Sequence, residues 1–197
     1  MNSERLESTM RLVYSVMPAL AAAGALAAVL VVPPLLDAAV PTRETAVAAG
    51  THVTLTATGV GAIHAGTNPD NGVRFAVPAA MQQVATGDQS TTVLRSTSDN
   101  QRLAIQVVDG ITDFDTAAPR LLLPLRAGGE QVDFDGGVVN AGNFQGLTCV
   151  LPDLTGGVCA VAYSGDVAVT VTVAGTTPEA GRNLINAVLQ SAQAVQA

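Results

Sequence analysis

A hydrolytic site needs a nucleophile, a base and an acid that orients the base. This 197-residue chain offers only two histidines as the base, His52 and His64. His52 stands on the polar side of the alternating stretch THVTLTAT, and His64 lies in the glycine-rich stretch GVGAIHAGTNPDNG. Neither sits in a catalytic motif, so both read as surface residues. Ser164 in AYSGDV resembles a nucleophile turn, but the G-x-S-x-G pattern is absent and a hairpin turn accounts for the stretch. Asp133 and Asp135 in VDFDGG invite a calcium reading. An EF-hand needs a third oxygen ligand at the next alternate position and a later Glu, and Gly137 takes that position. Alternating aspartates on the wet face of a strand, with Phe134 pointing inward, explain the pattern. Asp109, Asp113 and Asp115 could gather a cation, but capping a helix is the simpler role for such a cluster. GVGAIHAG lacks the Lys-Ser/Thr of a phosphate loop. The expectation is therefore a protein that is not an enzyme, with no catalytic, metal-binding or cofactor-binding residue.

The remaining reactive residues are Cys149 and Cys159, in LTCVLPDLTGGVCAV. Both flanks read as strands, and Pro152, Asp153, Gly156 and Gly157 between them are turn formers. If the strands pair around that turn, the cysteines fall opposite one another and a cross-strand disulfide is geometrically reasonable. Two cysteines without nearby histidines are too few for zinc. A redox pair would favour C-x-x-C spacing near a helix. The disulfide reading agrees with an oxidising, extracytoplasmic location.

The elements that must position these residues alternate between the two structural periods. Strands are expected at His52–Thr58, in VRFAVP, in TTVLRS and QRLAIQVVD joined by a turn at Ser98-Asp99-Asn100, in QVDFDGGVVN, in NFQGLTCV, and in the hairpin VCAVAYS–DVAVTVTVA through Gly165. DFDTAAPRLLLPLRAGGE predicts a helix capped by Asp113 or Asp115, with Leu121, Leu122 and Leu125 inward. Gly128-Gly129 would stop this helix. Pro119 must fall in its first turn or split it, and Pro124 makes its later part irregular. TTPEAGRNLINAVLQSAQAV predicts an amphipathic helix. Thr176 and Glu179 have capping-box spacing, Pro178 suits the first turn, and Leu184, Val188 and Ala192 recur beside Ile185 and Leu189. The class is α+β, an antiparallel sheet packed against helices.

Ahead of this domain, residues Leu12 to Val32 carry no charge. About 20 apolar residues cross a bilayer as a helix, whereas signal-peptide cores run to about 7–15. The length favours a retained anchor over a cleaved signal. Pro33 and Pro34 end it, and no cysteine near its end offers a lipid attachment point. Arg5 and Arg11 precede the span and only Arg43 follows closely, which favours the N-terminus inside. The resulting organisation is a cytoplasmic tail at 1–11, a single transmembrane anchor at 12–36, a tether at 37–50 and an extracytoplasmic domain at 51–197. Beyond Asp37 there are thirteen Asp and Glu against seven Arg, a net of −6. Such a surface repels phosphate and weighs against nucleic acid and anionic headgroups as partners.

The order VRFAVP, TTVLRS…QRLAIQVV, a helix with LLLPL, then DVAVTVTV leading into a terminal helix resembles the PsbP-like sandwich of small actinobacterial envelope proteins, including the LpqN-type lipoproteins. It covers roughly residues 70 to 195. A chain rich in Ala, Gly, Val and Asp with no Lys also resembles the products of GC-rich genomes. Two features depart from the family. Pro78 is followed by Ala79-Ala80-Met81 rather than an early aromatic, and a membrane span stands in place of the lipobox cysteine. The resemblance implies a binding or accessory module of the cell envelope, with an envelope or membrane protein as partner. The alternatives are a carrier or sensor of an apolar, lipid-like ligand held between sheet and helix, and a secreted hydrolase.

Overall fold

Val, Ile and Thr resist the helical conformation and favour extended backbone. The stretches that concentrate them are strands in the computed structural model, which describes residues 44–59 and 71–195. All of these belong to one unit, Arg43–Ala197. In chain order the elements are β1 (Glu44–Val47), β2 (His52–Thr56), β3 (Thr58–Gly59), β4 (Gly72–Ala76), β5 (Met81–Val84), β6 (Thr91–Ser96) and β7 (Arg102–Asp109). Helices α1 (Phe114–Leu121) and α2 (Leu123–Ala127) follow. Then come β8 (Asp133–Ala141), β9 (Phe144–Leu151), β10 (Gly157–Ser164), β11 (Val167–Ala174), α3 (Pro178–Ser191) and β12 (Gln193–Val195).

Eight strands run in the order β1-β5-β6-β7-β11-β10-β9-β8, every neighbouring pair antiparallel. Strand β3 adds a short parallel contact to β7 at Val108 and Asp109, just beyond the point where β6 begins opposite Gln106. A second sheet has the order β12-β4-β2. The α+β class with an antiparallel sheet against helices is what the structure has.

Strands β10 and β11 are buried along most of their length on both faces, as strands covered on both sides are. Val167, Val169, Val171 and Val173 of β11 face one way, beside Ala162, Ala160 and Val158 in register on β10. This face packs on Ile185, Val188 and Leu189 of α3 and on Val73 and Phe75 of the small sheet. The opposite face carries Cys149, Cys159, Val161 and Ala168 and packs on Ile111, Ala118, Leu121 and Leu122 around α1. The domain therefore has three layers, with two separate cores divided by the large sheet.

Several local features differ from the sequence reading. Residues 44–47 fall inside the expected tether but form the edge strand β1, because pairing with β5 supplies partners for their backbone groups. Strand β5 itself was not expected, since Gln82 and Gln83 hide its alternation. The helical stretch is split at Leu122, and Pro124 opens α2. Pro119 lies inside α1 rather than in its first turn. Leu125 is half-buried and Leu123 is 54% exposed. The cap of α3 is Thr177, one residue after the expected Thr176, and its side chain accepts from the N–H of Ala180. Thr176 is instead held by its backbone: Gly156, at φ +61°, leaves room for the Thr176 carbonyl where any Cβ would collide with it. Helix α3 stops at Ser191, and Gln193–Val195 leave the helical period to pair with β4. Among the described residues no helix is long and apolar enough to cross a membrane. The expected anchor at 12–36 lies outside the described residues.

Candidate ligand cleft and interaction surface

Cys149 and Cys159 are direct register partners on β9 and β10, with Cα atoms 4.8 Å apart, and they form a disulfide. Both are about 1% exposed. The turn between them brings the two strands into register and so brings the sulfurs together. The pair sits on the α1 side of the sheet and serves as structure.

The aspartates divide by role. Asp113 caps α1: its carboxylate accepts the Thr116 hydroxyl at 2.6 Å and the Thr116 N–H at 3.4 Å. These two bonds, the hydroxyl first, hold its carboxyl below the usual carboxylate range. Asp115 lies in the first turn of α1, where the helix dipole favours an acid. Asp109 ends β7, 3% exposed. Its Oδ2 lies 3.5 Å from Asn71 Nδ2, and its Oδ1 has no partner among the described residues. The three do not converge, and no cluster of metal-ligating side chains occurs among the described residues.

Asp133 and Asp135 also part company. Asp133 lies 3.9 Å from Arg126 in an exposed contact. Strand β8 is irregular between Phe134 and Val138, where two extra residues are inserted against β9. Asp135 is exposed, as the sequence reading has it, and the irregularity also brings it within reach of α3. It accepts from the Thr148 hydroxyl and from the Gly137 N–H, and lies 3.3 Å from Arg182 of α3. Burial opposes its ionisation. The bonds from Thr148, Gly137 and Arg182 outweigh that and keep its carboxyl below the usual range. A carboxylate depressed in this way stabilises the fold above its unfolded pKa of about 3.9 and loses that contribution as pH falls through the lower folded value. Asp135→Asn should cost about 1 kcal/mol at pH 7. The gap to the parent, read from urea midpoints, should close below about pH 4; a gap unchanged at pH 3 would mean the charge of Asp135 is idle.

The residues offered for hydrolysis do not assemble. His52 is exposed on β2 in the small sheet, whereas Ser164 ends β10 in the large sheet at the Gly165 turn. His64 lies outside the described residues.

Two features lie on the α1 side of the large sheet. Beside α1, the end of β7 and the loop at 110–112 leave a cleft of about 310 Å³. Its wall is Val108, Ile111, Ala117 and Leu121, with Asp113, Thr116 and Arg120 at the rim. Farther along the same face of the sheet α1 gives out. Here Phe114 stacks on Tyr163 with ring centroids 4.3 Å apart, and the Tyr163 hydroxyl accepts from Gln145 at 2.8 Å. Leu147 is half-buried in the same row as Val138 of the edge strand β8, which is 69% exposed. Sequence reading missed Arg120 and Val138. Arg120 was visible as the residue two helical turns after Asp113. The exposure of Val138 depends on the irregularity of β8, which no local pattern states.

Comparison with protein-family models, curated proteins and solved structures finds no match to this chain.

Proposed function

We propose that this chain is a non-enzymatic binding module of the cell envelope. It is held to the membrane by its N-terminal apolar run and presents its acidic outer domain to another membrane or envelope protein. The observation that supports this reading is Val138 of the edge strand β8, 69% exposed and in register with the half-buried Leu147. An exposed aliphatic side chain on an edge strand, where backbone donors and acceptors are also open, suits a contact with another chain. The PsbP-like resemblance points the same way. The test is native mass measurement on protein extracted from its own membranes without reductant. The expected mass includes residues 1–37 and a bound protein. Val138→Asp should abolish that bound mass while shifting stability by no more than about 0.5 kcal/mol. A partner-free parent, or a partner kept by Val138→Asp, would sink the reading.

A second reading, a carrier or sensor of an apolar ligand, is favoured by the cleft beside α1. Its volume of about 310 Å³ reaches the lower bound of ligand pockets, about 300 Å³. It also lies between sheet and helix, as that reading requires.

A further inference from the structure

The rim of the cleft beside α1 is dipolar. Asp113 and Arg120 both line it, and they bracket α1. Seven residues at 1.5 Å each separate them by about 10 Å along the helix. Asp113 is exposed, and its carboxylate accepts from Thr116 while keeping free lone pairs. Arg120 is exposed and has no ion-pair partner among the described residues. Between them the wall is Val108, Ile111, Ala117 and Leu121.

We infer that the cleft binds a short zwitterion with an apolar body, its ammonium on Asp113, its carboxylate on Arg120 and its middle against Ile111 and Leu121. This rests on the ligand-binding reading of the cleft and adds the ligand's chemistry to it. A purely apolar ligand would leave both charges unused. A simple anion would meet the ionised Asp113, and a simple cation would meet Arg120. A ligand with opposite charges at its two ends satisfies both, and Arg forms paired hydrogen bonds with a carboxylate. The small volume restricts the ligand to one short chain.

The probe is 8-aminooctanoate, compared with octanoate, octylammonium and 1-octanol. The protein is the full chain in phosphatidylcholine nanodiscs, and empty nanodiscs are subtracted. Binding is read from methyl resonances of Ile111 and Leu121. Two variants remove one charge each and keep α1 folded. Asp113→Asn retains a good N-cap, and Arg120→Gln retains a good helix former. The expected result is that 8-aminooctanoate binds best and that each variant weakens it about tenfold, the size of one charge-assisted contact. Binding of 1-octanol should stay the same in both variants. If 1-octanol or octanoate binds as well as the zwitterion, the ligand chemistry proposed here is wrong while the cleft remains a ligand site. If no probe moves Ile111 or Leu121, the cleft is not a site and both readings fall.

Discussion

Phe75→Ala should destabilise the domain by about 3–5 kcal/mol, the usual cost of emptying an aromatic site in a core. Phe75 is fully buried. It sits on β4, the middle strand of the small sheet, opposite Val53 of β2. Its ring belongs to the core shared with α3 and with the inner faces of β7, β10 and β11. Removing it strikes the joint between the two sheets, where α3 and β4 meet. Domain stabilities run to about 5–15 kcal/mol, so such a loss would leave part of the population unfolded near physiological temperature. Urea denaturation measures it. Phe75→Leu separates cavity from contact, because it retains most of the volume and should cost well under half as much. A loss below about 1.5 kcal/mol for Phe75→Ala would mean that the small sheet is not packed on the large one.

Loss of the disulfide should cost about 2–3 kcal/mol in the chain-entropy account, because Cys149 and Cys159 close a short loop. The double variant Cys149→Ala/Cys159→Ala, compared with the oxidised parent, gives the number from the shift in urea midpoint. Each sulfur is almost wholly buried between the large sheet and α1. A thiol reductant should therefore act slowly on the native protein and quickly once urea opens it. Rapid reduction without denaturant would show that α1 lifts off the sheet readily. Equal midpoints for the double variant and the parent would show that the bond is formed without stabilising the fold.

The parts legible in the sequence were those where one strong local period meets no competitor. The β10–β11 hairpin, the α3 stripe of Ile185, Val188 and Leu189, and the pairing of Cys149 with Cys159 all follow from alternation, helical spacing and turn residues. Strands β1, β5 and β12 were not legible. Each is short, and each takes its shape from the strand beside it: β1 from β5, β5 from β6, β12 from β4. Long-range pairing decides such segments, and their own residues carry little preference. The candidate site was less legible still. Asp113 announced itself as a cap. Its use at a cleft rim depends on where α1 ends and what β7 leaves open, and no spacing rule states either. The contact of Asp135 with Arg182 was not legible, because it depends on two extra residues in β8 that interrupt the strand's alternation.

The small sheet has a consequence for how the chain is made. Its strands β2 and β4 emerge early from the ribosome, while β12, which covers the second edge of β4, emerges after α3. At about 5–20 residues per second, synthesis leaves β4 half-paired for roughly ten seconds. During that interval Val73 and Phe75 have no closed core around them, and one row of backbone donors and acceptors on β4 is open to any passing strand. A nascent chain with this wiring gains from a holding factor until its last strand is released, and a stop codon just before Gln193 would produce a sticky product.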